Sequence, residues 1–182
     1  MEFIFTLKYQ LASADGDMDA LVERLAEEGC DDALVGVGQP GRLALEFIRE
    51  APSAVEAMRS ALADVHRAIP DARLIEATPD FVGLTDVAEI VGMTRQNMRK
   101  LMVAHTVTFP APVHQGATSI WHLADVLSWM QDRGNYSVHQ NTLDMALVAM
   151  QVNIKKEHAR FEPPAALRTN YLELLSSRLV AS

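Results

Sequence analysis

Cysteine is almost absent: Cys30 stands alone among 182 residues. A lone thiol excludes a disulfide within the chain and suits a reducing compartment, so the sequence predicts a cytoplasmic protein. No apolar run approaches the ~18–20 residues of a membrane span. The opening stretch Met1-Glu2-Phe3-Ile4-Phe5-Thr6-Leu7 lacks the basic start of a secretory signal. No membrane contact is therefore expected. Histidines occur at His66, His105, His114, His122, His139 and His158. Without further cysteines they show no metal-ligand spacing, and no metal or other cofactor is expected; His105 and His114 are candidates only for a phosphate contact. The chain also lacks a nucleophile elbow, a phosphate loop and a paired-carboxylate motif. Cys30 has Asp31 and Asp32 as neighbours, and their charges oppose a thiolate. The sequence predicts a protein that is not an enzyme.

Positive charge is scarce too, with a formal net charge of −8. The deficit is local. Residues 1–80 carry 16 acidic and 7 basic side chains, residues 81–135 carry four of each, and residues 136–182 carry four acidic and five basic ones. The chain is long enough for more than one domain. Its 49% hydrophobic content is enough for a core. Three parts follow: 1–80, 81–135 and 136–182.

In the first part, residues 2–11 alternate, with Phe3, Phe5, Leu7 and Tyr9 on one face. A helix is expected from 18 to about 28, capped by Asp15 or Asp17, with Met18, Leu21, Val22 and Leu25 inward and Gly29 as its stop. Residues 33–38 and 42–49 read as a hairpin around Gln39-Pro40-Gly41. Ser53 and Glu56 have the spacing of a capping box for a helix to about 69, with Val55, Met58, Leu62, Val65 and Ile69 inward. Residues 72–77 make a last strand. The order β-α-β-β-α-β predicts a ferredoxin-like domain with one sheet face covered by helices. The other face, Ile4, Thr6, Lys8, Ala44, Glu46 and Ile48, is mixed and open to solvent, a second copy or another domain. The fold alone does not name a function. Oligomerisation is one role. Sensing is another, because small-molecule-sensing ACT-like domains share the topology and hold ligand near the place of Ser13-Ala14-Asp15-Gly16-Asp17. A protein or small-molecule effector is the corresponding partner.

Residues 83–129 organise the rest. A short helix runs from 85 to 91, with Thr85 as its cap, Val87, Ala88 and Val91 on one face, and Gly92 as its exit. Met93 plugs the turn and Thr94 caps a second helix, with Met98, Leu101 and Met102 inward. Arg95, Gln96, Asn97, Arg99 and Lys100 occupy its other faces. Two short helices around a glycine turn, the second polar at its start, read as a helix-turn-helix. Trp121 and Trp129 belong to its small core. Beyond it, Leu143, Leu147, Met150 and Ile154 form the stripe of a helix from 143 to about 158. After Pro163-Pro164, Leu167, Tyr171, Leu174, Leu175 and Leu179 form the stripe of another. The two are expected to pack on each other and supply a subunit interface, and the competing expectation folds them back onto the first domain.

Three blocks resemble the excisionase and AlpA-like branch of the MerR-type winged helix-turn-helix families. They are Leu84-Thr85-Asp86-Val87-Ala88-Glu89-Ile90-Val91-Gly92-Met93-Thr94, then Phe109-Pro110-Ala111-Pro112-Val113 with Ile120-Trp121 as wing strands, and the closing helix Asp125-Val126-Leu127-Ser128-Trp129-Met130. The resemblance covers about residues 82–133. It implies a small domain whose second helix enters the major groove of double-stranded DNA. One departure is the wing tip, His114-Gln115-Gly116-Ala117-Thr118, which has no Arg or Lys where the family carries them. Gly116 is expected at this tip with a positive φ.

The site residues expected to meet DNA are Thr94, Arg95, Gln96, Asn97, Arg99, Lys100, Gln115 and Thr118, with Ser119 beside them. Arg pairs with guanine, and Gln or Asn with adenine, through two hydrogen bonds. Arg99 and Lys100, one turn on, suit phosphates, and a helix start capped by Thr94 offers amides to one. The expectation is a sequence-specific DNA-binding protein, a prokaryotic or phage transcriptional regulator acting as a homodimer or higher oligomer. The rival is an interaction or adaptor protein whose helix-turn-helix does not read DNA, and a recombination-directionality factor shares the same features.

Overall fold

The computed structural model describes residues 1–12, 17–36 and 38–160. Along β1 (Glu2–Gln10), Phe3, Phe5, Leu7 and Tyr9 are buried and the residues between them are not. That is the period-two burial of a sheet with one covered face. β3 (Arg42–Glu50) repeats the pattern with Leu43, Leu45 and Phe47 and pairs antiparallel with β1. The register sets Phe5 opposite Phe47, and their rings stack with centroids 5.1 Å apart. β2 (Ala33–Gly36) pairs with β3, and β4 (Arg73–Thr78) pairs with β1, so the antiparallel order is β2-β3-β1-β4.

Helices α1 (Met18–Glu27) and α2 (Ala54–Ala68) contribute to the core on the covered face. Asp17 caps α1, accepting from the amides of Asp19 and Ala20. Ser53 Oγ accepts from Glu56 N at 3.2 Å, but the Glu56 carboxylate turns to Arg59, so only half of the expected capping box forms. Val22 and Val55, expected inward, are 39% and 57% exposed. In α2 the buried face is Ala54, Ala57, Met58, Ala61, Val65 and Ala68, because small side chains let the helix seat close to the sheet. At the sheet's rim Arg49 is nearly buried. Its guanidinium donates to Asp32, Asp64, Ser60 Oγ and the Gly29 carbonyl. Burial opposes the charge, but hydrogen bonds to Asp32 and Asp64 outweigh it and hold the proton more tightly than usual.

The second part is built on a three-stranded antiparallel sheet, β5-β7-β6. The sequence reading missed β5 (Phe81–Val82), which pairs Val82 with Trp121 of β7 (Ser119–His122). The strand expected over 109–113 is not paired along its length: β6 is only His114–Gln115, preceded by a bond from Val113 N to Ile120 O. Pro110 and Pro112 have no amide proton to give to a ladder, which postpones pairing. Phe109 still serves the core, meeting Trp121 and Trp129 edge-on. Helices α3 (Leu84–Ile90), α4 (Arg95–Ala104) and α5 (Leu123–Asp132) complete this core around Val87, Met98, Leu123, Leu127 and Met130.

A single long helix, α6 (Gln140–Arg160), joins the two cores. Met145 and Ala149 are buried in the first, and Leu143 and Ala146 in the second. Of the expected stripe, Leu143 is buried and Leu147 and Met150 pack partly buried against the second core, while Ile154 is 54% exposed. Asn153 of α6 is buried and bonds the free edge of β4, accepting from Ala77 N and donating to Ala77 O. It also donates to Asp80 Oδ2 at 2.8 Å, while Asp80 Oδ1 lies 2.6 Å from His122 Nδ1. The short linker into the second part is therefore held by polar groups from both sides. Lys156 Nζ donates to the next free carbonyl on that edge, Ile75 O. An edge strand left open invites pairing with another chain, and α6 closes this one. No helix among the described residues is long and apolar enough to cross a membrane. Of the proposed ligand loop 13–17 all but Asp17, and the whole helix expected after Pro163-Pro164, lie outside the described residues.

Candidate nucleic-acid interface

The turn between α3 and α4 is shaped by Gly92, whose φ of +67° is costly for a residue with a Cβ. The first helix starts one residue earlier than expected. Gly83, not Thr85, is its cap, and Asp86 Oδ2 accepts from Gly83 N at 2.7 Å. An acidic side chain three residues on reaches back to the cap amide, and a glycine can hold the cap position. Thr85 is thereby released from capping. Thr94 does cap α4, its hydroxyl accepting from Asn97 N at 3.2 Å.

Met98 is fully buried and anchors α4, which leaves Arg95, Gln96, Asn97, Arg99 and Lys100 exposed on its other faces. Among the described residues, none of Arg95, Arg99 and Lys100 lies within salt-bridge distance of a carboxylate. Their charges are free to meet an external anion. Arg95 and Arg99 are four residues apart, on one side of the helix. Both line an open cleft of about 560 Å³ whose opposite wall is the β6–β7 hairpin. Thr118 and Ser119 line that wall, and Thr85 the floor near the start of α3. The structure thus joins Arg95, Arg99 and Thr118 from two separate stretches of sequence. Gln96, Asn97 and Lys100 are exposed beside the cleft but do not line it, and Gln115 is exposed on the hairpin outside it.

Gly116 is exposed in the hairpin's turn, as expected, but without a positive φ. A Cβ there would come within 2.8 Å of the end of the exposed His114 ring, which can swing aside, so neither backbone handedness nor packing demands glycine. Arg133 was not among the expected contacts. It lies over the Trp129 ring at 4.7 Å and donates toward His105 Nε2 at 3.1 Å, at the C-terminal end of α4. This cation is held in place by stacking, outside the cleft that Arg95 and Arg99 line. A cation just past the closing helix, four residues after a tryptophan, was the signal available for it.

Thr85, Thr118 and Ser119 offer hydroxyls, and Arg95 and Arg99 offer two guanidinium groups, in a cleft with one carboxylate, Asp86, already engaged by Gly83. Hydroxyls and guanidiniums together suit the oxygen atoms of a phosphodiester. Elsewhere, the Cys30 thiol is buried and pushed up to about 11, first by burial and then by Asp64, so it stays protonated at neutral pH. Comparison with protein-family models, with curated proteins and with solved structures finds no match to this chain.

Proposed function

We propose that this chain is a sequence-specific DNA-binding protein, a transcriptional regulator of a prokaryote or phage that acts as a dimer or higher oligomer. In this reading residues 81–135 are a winged helix-turn-helix of the excisionase and AlpA-like kind, with β6–β7 as the wing. Residues 1–80 are a ferredoxin-like domain, which the strand order β2-β3-β1-β4 supports. The observation that carries the reading is the pair Arg95 and Arg99: exposed, free of carboxylates among the described residues, and sharing one cleft with Thr118 of the hairpin. α4 enters the major groove with Arg95, Gln96 and Asn97 toward base edges, while Arg99, Lys100 and the hairpin hydroxyls meet the backbone.

The rest of the chain shapes how this reader works. Its charge balance is neutral, so non-specific affinity is low and two readers bind together, their half-sites a multiple of ~34 Å apart. Self-association in this reading uses the open face of the larger sheet. There Ile4 lies opposite Ile48, 56% and 53% exposed, near Leu34 at 71%. The experiment is selection of bound duplexes from a random pool with the full chain. Enrichment of one short motif, repeated at helical spacing, supports the proposal. A pool that stays random after repeated rounds counts against it and favours an adaptor role.

A further inference from the structure

A groove of about 510 Å³ runs between α2, β4 and α6. Its walls are aliphatic: Val55, Met58 and Leu62 from α2, Leu74 from β4, and Val148 and Val152 from α6. On each helix these residues are three or four positions apart and so share one face. Met58 belongs to the first core and Val55 is 57% exposed, so the groove runs from solvent to the core. The charges that line it have one sign. They are Arg59 from α2 with Lys155 and Lys156 from α6, and among the described residues no carboxylate lines the groove, in a chain of net charge −8. Arg59 is paired with Glu56, and Lys156 is held by Glu157 and the Ile75 carbonyl. Lys155 has no carboxylate within salt-bridge distance among the described residues.

We propose that this groove binds a small amphipathic carboxylate, in its simplest form a straight-chain fatty acid, with the alkyl chain on the aliphatic walls and the carboxylate at Lys155. The volume lies within the ~300–1,000 Å³ of small-molecule sites, which are mostly apolar with a few placed polar groups. A helical partner fits less well. From Val148 to Ala159 the groove is ~16 Å long, and a helix of that length, ~10–12 Å across with its side chains, fills roughly 1,300 Å³ or more, so most of it would stand outside. A cationic amphiphile would meet three like charges, and an uncharged one would leave Lys155 unmatched. A lysine ammonium is a point charge on a flexible stem, which suits a carboxylate at the end of a chain that slides along apolar walls. This inference does not depend on what α4 binds, since no residue of α4 lines the groove.

The test is equilibrium dialysis of the full chain, without DNA, against decanoate. Binding should saturate at one molecule per chain. Hexanoate, four methylenes shorter, should bind roughly 100-fold more weakly, at ~0.8 kcal/mol for each buried methylene. Decanol has the same chain without the charge and should lose at least about 10-fold. These comparisons use the unmutated protein and need no variant to fold. Two substitutions at exposed positions then locate the site. Lys155→Glu removes the cation and Val55→Trp fills the groove, and each should weaken decanoate at least about 10-fold. No binding up to about 1 mM overturns the proposal. So does uptake that never saturates, equal affinity for decanol and decanoate, or full affinity in both variants.

Discussion

Asn153 bonds to Ala77 as a neighbouring strand would: its Oδ1 accepts from Ala77 N at 2.9 Å and its Nδ2 donates to Ala77 O at 2.7 Å. One side chain of α6 thus completes the edge of β4, and through Asp80 and His122 it reaches the start of α5. Replacing Asn153 with leucine leaves two backbone groups and one Asp80 oxygen without partners in a dry site. Each buried group so stranded costs ~1–3 kcal/mol, so Asn153→Leu lowers stability by about 3 kcal/mol or more, read by urea unfolding. A loss under about 1 kcal/mol would mean that water enters the site and α6 is not the seal of this edge.

Arg49 holds Asp32 and Asp64 at 2.7 Å each. Arg49→Met keeps the bulk of the stem but strips Asp32 of its cation and leaves Asp64 with Arg67 alone. Breaking a buried pair from one side costs ~3–5 kcal/mol, and the lower end is expected here because Asp32 is partly exposed. Thermal unfolding checks the loss. Adding Asp32→Asn should recover part of it, since Asp32 is the carboxylate left without a cation.

The first core also predicts an alkaline weakness. Tyr9 has its hydroxyl pushed above its ordinary range by burial and then by Cys30, and the Cys30 thiol is pushed up from 9.0 to about 11. Both groups hold their protons more tightly in the folded chain. The Cys30 contribution to stability is therefore full below pH 9 and is lost as pH climbs from 9 toward 11, when the unfolded thiol ionises first; the Tyr9 contribution is full below pH 10 and declines only above it. Urea unfolding at intervals across that window should show the fall, and Cys30→Ala should flatten it between pH 9 and 10, leaving the Tyr9 part above pH 10. A profile that is flat up to pH 11 would contradict the burial of both groups.

Two changes at the start of α3 should differ sharply. Asp86 accepts from the cap amide of Gly83, whereas Thr85 makes no capping bond. Asp86→Ala then costs about 1 kcal/mol, and Thr85→Ala stays within ~0.5 kcal/mol. The reverse order in chemical denaturation would restore Thr85 as the cap.

Much of the larger sheet was legible because its signal is local. Phe3, Phe5, Leu7 and Tyr9, and again Leu43, Leu45 and Phe47, bury at every second position, and no distant contact alters that. Gly92 and Thr94 were readable for the same reason, since a left-handed exit and a cap are one-residue devices. What failed was ranking and range. Periodicity alone cannot tell whether α2 presents its alanines or Val55 to the sheet, because the choice rests on how close the helix sits. Prolines at 110 and 112 shifted the hairpin ladder past the extended stretch that looked like a strand. Asn153 and Ala77 are 76 positions apart, and Asp80 and His122 are 42, so no window along the sequence links them. At the candidate site, the run from Arg95 to Lys100 was visible as chemistry. Its division into a cleft pair and three outer groups needed the hairpin in place.

The central proposal is that Arg95 and Arg99 meet DNA. The direct measurement is a salt titration of binding to the duplex enriched from the random pool, with wild type, Arg95→Ala and Arg99→Ala compared against a scrambled duplex. The proposal predicts that Arg95→Ala loses ~1–3 kcal/mol on the enriched duplex and much less on the scrambled one, while Arg99→Ala weakens both and lowers the salt slope by about 1. Wild-type affinity and slope for both variants on both duplexes would contradict it.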